Sequence, residues 1–106
     1  MTPAELQELI PLHFARTAEN LDDDSHSIFE AFIDKLDSGK IRAAEKQDGD
    51  WHVNDWVKQG ILLGFRLGSV INFSLNEQFQ FCDKHTYPLK DLRSFTSSIR
   101  LVPGGS

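Results

Sequence analysis

The stretch from Asn54 to Gly68 constrains this chain most. Trp56, Val57, Ile61, Leu62, Leu63, Phe65 and Leu67 cover more than one face of any helix built from it. A helix apolar nearly all round must be covered, either by the rest of its own chain or by another subunit. Asn54 reads as its N-cap, with Asp55 in the first turn beside the positive end of the dipole. Gly68 reads as its end. Gly60 and Gly64 are four residues apart inside it. They weaken a helix and admit the close approach of another backbone, with the hairpin described below as the expected partner.

The rest of the chain supplies elements to pack around that helix. Thr2-Pro3-Ala4-Glu5 is a helix start, with Thr2 as cap, Pro3 at the first helical position and Glu5 completing a capping box. Leu6, Leu9, Ile10, His13 and Phe14 follow with helical spacing, and Pro11 predicts a kink or a division into two short pieces. A polar connector with Asp22-Asp23-Asp24 comes next. A second helix is expected to begin near Ser25 to Ser27, with Ser27 and Glu30 at capping-box spacing. Its apolar stripe is Ile28, Phe29, Phe32, Ile33 and Leu36, and Gly39 takes the left-handed C-terminal position. Residues 41–46 and 51–53 flank Gln47-Asp48-Gly49-Asp50 and predict a β-hairpin with a tight Asp-Gly turn. Beyond Ser69 the pattern weakens. Phe79-Gln80-Phe81 alternates like a strand, residues 89–95 suit a short helix, and residues 99–102 read as extended before Pro103-Gly104-Gly105. These elements give an α+β class, a small mainly helical domain with a β-hairpin.

Length and composition bound the rest. With 106 residues and 40% hydrophobic content, the chain suits one domain over residues 1–106 with one core. Eight Phe and two Trp compensate for the short chain by burying large areas. A net charge of -5 disfavours nucleic acid and anionic membrane partners. No apolar run reaches the length of a membrane span, and the first ten residues lack the basic start of a signal peptide. Cys82 is the single cysteine. It excludes an internal disulfide and points to a reducing, cytoplasmic compartment.

Few constellations carry chemistry. The three aspartates lack the spacing of a calcium loop and suit a helix N-terminus. Cys82 and His85 have Cys-x-x-His spacing without the further ligands that zinc needs, so no metal site is expected. Cys82 as a nucleophile would need a positioned base. His52 and Asp55 lack a nucleophile and suit a capping role. Arg66 stands on the apolar helix, where a snorkelling or ion-paired role competes with ligand binding. Arg100 alternates with Ile99 and Leu101, so in an extended strand it faces the other way, toward a cleft where a guanidinium can grip a carboxylate at two points.

Leu36-Asp37-Ser38-Gly39-Lys40-Ile41-Arg42-Ala43-Ala44-Glu45-Lys46, then Asp48-Gly49, Trp51, Trp56-Val57-Lys58 and Ile61-Leu62-Leu63-Gly64-Phe65-Arg66 together resemble the N-terminal domain of tetrahydrodipicolinate N-succinyltransferases. Asp83-Lys84 and Ile99-Arg100-Leu101-Val102-Pro103 extend the resemblance. Cys82, where the family has a Phe, and an insertion around Tyr87 depart from it. The resemblance implies a succinyl-CoA-dependent acyltransferase of the diaminopimelate route to lysine. It implies a homotrimer in which a C-terminal left-handed β-helix of hexapeptide repeats holds the coenzyme. No such repeats occur in these residues, so no cofactor is expected in this chain and succinyl-CoA is a co-substrate of the full-length enzyme. The expected partners are a small dicarboxylic acid, the protein's own β-helix domain and neighbouring subunits. By resemblance Arg100 binds the dicarboxylate, and Arg66 is the weaker candidate, from its place on the apolar helix. The family's catalytic acid lies beyond Ser106, so no catalytic residue is expected here and the chain alone should be inactive. The chain is then a piece of a longer enzyme or a free-standing relative. The alternative is a non-enzymatic interaction module that binds through the uncovered side of the third helix. A reading frame that continues into hexapeptide repeats favours the enzyme.

Overall fold

Three helices pack on one another, and two short antiparallel ribbons project from them in a computed structural model describing residues 1–95 and 98–102, without the side chains of Ser94 and Phe95. The order is α1 (Pro3–Phe14), a 3-10 turn (Ala18–Asn20), α2 (Asp23–Asp37), β1 (Ala44–Gln47), β2 (Asp50–Val53), α3 (Asp55–Leu67), β3 (Val70–Asn72), β4 (Cys82–Lys84) and a 3-10 turn (Leu92–Phe95). Small helical core and paired strands make the α+β class expected from the sequence, and no β-helix occurs among the described residues. The Cα radius of gyration is 16.0 Å, against about 13 Å for a compact domain of this size. The excess comes from shape, since the molecule is flat, 43 × 42 × 19 Å.

Thr2 caps α1 as expected, its Oγ1 accepting from the Glu5 N–H at 3.2 Å. The expected division at Pro11 does not occur, and α1 is one helix. Leu6 and Ile10 before the proline and His13 after it are buried on one face. Packing on the same neighbours thus holds both sides of the missing hydrogen bond in line.

The start of α2 differs from the Ser27–Glu30 box. Asp22 is the N-cap, its Oδ1 accepting from the Ser25 N–H at 3.0 Å, while Ser25 Oγ accepts from the Asp22 N–H at 3.2 Å. Two capping boxes compete here, and the earlier one wins because Ser25 is buried against His13. Asp23 and Asp24 fall in the first turn, where the dipole favours them. At the other end Gly39 has φ +81°, with Gly39 N–H bonded to Leu36 O and Lys40 N–H to Lys35 O. This Schellman closure turns the chain so that Ile41 enters the core.

The hairpin forms at the expected place, pairing Ala44 with Val53, Glu45 with His52, Lys46 with Trp51 and Gln47 with Asp50. Asp48 and Gly49 have φ +51° and +86°, the two positive angles of a type I′ turn. The hairpin stands almost wholly in solvent, with Trp51 71% exposed. Asn54 fixes its base. The Asn54 N–H bonds Ala43 O, and its Nδ2 donates to Arg42 O at 2.7 Å and Glu45 Oε1 at 3.0 Å. Asn54 therefore occupies the N-cap position of α3 without a side-chain cap bond, because that side chain closes the hairpin instead.

The core consists of Leu6, Ile10, Ile28, Phe29, Phe32, Ile41, Val57, Leu63 and Leu67. The two glycines of α3 do receive close neighbours, although not the hairpin expected from sequence. A Cβ at Gly60 would lie 2.5–2.8 Å from the Phe32 ring, and one at Gly64 would overlap the Phe29 ring and the Tyr87 hydroxyl. They are sockets for aromatic side chains. Leu62 and Phe65 remain 40% and 43% exposed on the opposite face of α3. Gly68 ends α3 in an extended rather than left-handed conformation.

Beyond α3, β3 pairs with β4, not with the expected strand at Phe79–Phe81. The ladder continues past the strand ends through Phe73 N–H to Phe81 O and Leu75 N–H to Phe79 O, so those residues form the ribbon's irregular tip. The expected short helix over residues 89–95 is reduced to the 3-10 turn Leu92–Phe95. Residues 99–102 are exposed and belong to no described strand, and the Pro103-Gly104-Gly105 terminator lies outside the described residues.

Candidate functional site

Arg100 is exposed, and among the described residues it has no hydrogen bond or ion-pair partner. Such a guanidinium keeps all five of its donors for a ligand. Arg66 is placed differently. Its Nη1 donates to Phe14 O at 2.6 Å, its Nη2 donates to Arg16 O, and its guanidinium lies 5.6 Å from the Phe14 ring centroid. It joins the C-terminal end of α3 to the free carbonyls at the end of α1, where a cation is favoured.

The segment leading to Arg100 is tied to the helical core. Lys84 Nζ donates to Gly68 O at 3.2 Å, Thr86 Oγ1 to Gly64 O at 2.7 Å, and the Tyr87 hydroxyl to Ile61 O. The Tyr87 ring lies 5.8 Å from Phe29, edge-on, and 4.7 Å from Phe65. Burial pushes its phenol up to about 12, so the hydroxyl remains a donor. Lys90 Nζ meets Asp37 Oδ1 at 2.9 Å at the end of α2. Between this strap and α2 runs a groove of 320 Å³ lined by Ile33, Asp37, Tyr87, Leu89 and Lys90 among others. A second groove of 180 Å³ lies at the start of α1 and α3, with Lys40, Arg42, Glu45, Asn54 and Trp56 in its wall.

The other sequence candidates are not brought together. His85 Nδ1 accepts from the Ser69 N–H at 2.9 Å, and no hydrogen bond joins it to the exposed Cys82. His52 faces Glu45 across the hairpin and has no bond to Asp55. Among the described residues, no group of three or more His, Cys, Asp or Glu side chains is placed to hold a metal ion.

Sequence reading missed the one buried polar cluster among the described residues. His13 Nδ1 lies 2.7 Å from Ser25 Oγ, and both residues are buried. Ser25 Oγ also lies 3.2 Å from Asp22 Oδ1. If the hydroxyl proton goes to Asp22, His13 Nδ1–H donates to Oγ and all three groups are satisfied. Ser25 is fully buried, so the trio fastens α1 to α2 and offers no nucleophile to a substrate. The signal was available as a histidine within the apolar stripe of α1, but its partner lies across a helix junction.

Burial, then the Arg16 charge, holds the His13 pKa below its ordinary value, while Asp22 and Asp24 oppose that shift. The native state therefore keeps His13 neutral where the unfolded chain binds a proton. Above the ordinary value of 6.5 both states are neutral and stability does not depend on this group. As pH falls below 6.5 the unfolded state gains protons first and stability drops, until the native pKa is reached. Asp22, whose pKa is lowered chiefly by the Ser25 N–H, adds its loss only around and below 3.8. Urea midpoints are expected to be lower at pH 5.5 than at pH 7.5, and His13→Gln should flatten that difference. Equal midpoints at the two pH values in the parent protein would refute this.

Comparison with known proteins places this geometry. The family model described as tetrahydrodipicolinate N-succinyltransferase N-terminal matches residues 5–67, the span that holds every residue of the core. The chain is similar to the 2,3,4,5-tetrahydropyridine-2,6-dicarboxylate N-succinyltransferase of Psychrobacter sp. (strain PRwf-1), 36% identical over 107 residues, covering 92% of this chain and 38% of the relative. The protein of that name from Psychrobacter arcticus is 38% identical over 74 residues, covering 67% of this chain and 27% of the relative. That from Cereibacter sphaeroides (strain ATCC 17029 / ATH 2.4.9) is 50% identical over 44 residues, covering 42% and 16%. The chain thus spans 38% or less of the length of these curated relatives. With its three helices, exposed hairpin and matched core, the chain belongs to the tetrahydrodipicolinate N-succinyltransferase N-terminal family.

Proposed function

We propose that this chain is the acceptor-side N-terminal part of a succinyl-CoA-dependent tetrahydrodipicolinate N-succinyltransferase, a cytoplasmic homotrimer of diaminopimelate and lysine biosynthesis. Family membership and the names of the relatives support the transferase reading. No helix among the described residues is long and apolar enough to cross a membrane, which agrees with it. The observation that carries the role of this part is Arg100, exposed and without a partner among the described residues. A dicarboxylic acceptor presents two carboxylates, and a free guanidinium holds one of them through two parallel hydrogen bonds. Arg66 takes second place, because two of its N–H groups already serve the end of α1. The coenzyme and the catalytic acid belong, in this reading, to the β-helix that the rest of the enzyme supplies.

In the full-length enzyme, Arg100→Ala is expected to raise the acceptor KM by about ten- to a hundredfold, the range of one charge-assisted pair. Arg100→Lys should recover part of that loss, since the charge remains and the fork does not. An acceptor KM and turnover both unchanged in Arg100→Ala would sink the assignment. The 106-residue chain alone is expected to consume no succinyl-CoA in the presence of the acceptor. Consumption that depends on this polypeptide only would contradict the division of labour.

A second reading, a non-enzymatic interaction module, is favoured by uncovered apolar side chains. Leu62 and Phe65 on α3 and Trp51 and Val53 on the hairpin are all exposed. Acceptor-dependent turnover in the full-length protein decides against it.

A further inference from the structure

We propose that Tyr87, with Lys90, latches the Arg100-bearing segment to the helical core and so acts as a positioning residue for acceptor binding; this rests on the role of Arg100 proposed above. Every buried residue of the core cluster lies between Leu6 and Leu67. Tyr87 packs against that cluster from outside. The strap is therefore not needed to fill the core, yet it is fastened with unusual density. Three side chains within four residues, Lys84, Thr86 and Tyr87, reach three carbonyls along the last turns of α3. Gly64 leaves the space in which the Tyr87 hydroxyl sits. Lys90 then fixes the same segment to Asp37 on α2.

These ties shorten the lead to Arg100. Arg100 follows Lys90 by 10 residues and Thr86 by 14. The volume open to the end of a tether grows roughly as the three-halves power of its length, so moving the last tie from Lys90 back to Thr86, whose bond to Gly64 O remains, dilutes the guanidinium about 1.7-fold at its target. Loss of its fixed approach direction adds to this.

The test is a double-mutant cycle in the full-length enzyme, combining Tyr87→Phe and Lys90→Met with Arg100→Ala. The latch variant is expected to raise the acceptor KM about two- to fourfold, with the KM for succinyl-CoA unchanged. In the Arg100→Ala background the same latch variant should change the acceptor KM no further, because the group it positions is gone. A merely structural role would give equal effects in both backgrounds and would overturn the latch, as would no effect in either. If the latch variant does not fold, Tyr87→Phe alone, which keeps the ring and removes only the hydroxyl, carries the same cycle. If Arg100→Ala alone leaves the acceptor KM unchanged, the proposed function of Arg100 falls, and the latch falls with it. If Arg100→Ala acts but the latch variant does not, the latch alone is overturned.

Discussion

Phe32→Ala is expected to cost about 3–5 kcal/mol of stability, the range for emptying a fully buried aromatic site. Phe32 is 0% exposed and packs α2 against α3. Its ring lies 6.2 Å from Phe29 and 5.9 Å from Trp56, edge-on to the latter, and seats on the bare backbone of Gly60. A domain of this size has roughly 5–15 kcal/mol in total. The variant should therefore melt roughly 15–30 °C below the parent. Paired thermal and urea melts check this, and a loss under about 1 kcal/mol would show that Phe32 does not hold the centre.

Gly60→Ala is expected to destabilise by about 2–3 kcal/mol, the opposite of what helix propensity alone gives. Alanine should favour an exposed helix position by about 1 kcal/mol. Here the added methyl would meet Phe32 Cζ at 2.5 Å and both ring Cε atoms at 2.7 and 2.8 Å. The ring is wedged between Phe29 and Trp56, so either α2 moves off α3 or the ring leaves its rotamer. The two substitutions share one contact and should not add. In Phe32→Ala the methyl at position 60 enters the vacated space, and the double variant should be more stable than the two single losses summed. Additive losses would mean that Gly60 and Phe32 are not in contact.

Much of this architecture was legible because its determinants are local. The Asp48-Gly49 turn and the Gly39 closure each need positive φ within a few residues, and a glycine beside Asp or Ser between two periodic segments signals that locally. The stripes of α1 and α2 follow from helical spacing alone. What misled was competition between local signals. Asp22–Ser25 and Ser27–Glu30 both satisfy capping-box spacing, and the choice fell to a tertiary contact, His13 against Ser25. Asn54 likewise has two uses, and the hairpin base took its side chain.

The glycines of α3 mark the boundary of what a sequence tells. Their meaning, a close neighbour, was readable. The neighbour's identity was not, because Phe29 and Phe32 lie about thirty residues away and nothing local distinguishes them from the hairpin. The same holds for the candidate site. Arg100 stood out as a charge in an apolar run; it is exposed, and so are Ile99, Leu101 and Val102 beside it. That Arg66 grips the end of α1, some fifty residues upstream, depends on how α1 and α3 are docked. Nothing in the sequence signalled the ties that Lys84, Thr86 and Tyr87 make, since they bond to backbone and backbone is everywhere.

That last property makes the strap's joint one-sided under mutation. Its acceptors are the carbonyls of Ile61, Gly64 and Gly68, which any amino acid would present. Ile61 can therefore drift to another residue of similar bulk without breaking a single tie, while Thr86 and Tyr87 have almost no substitutes that still donate from the right distance. Natural variation should then be unequal across the joint, wide on the helix except where a side chain would fill the socket, and narrow on the short segment that leans against it.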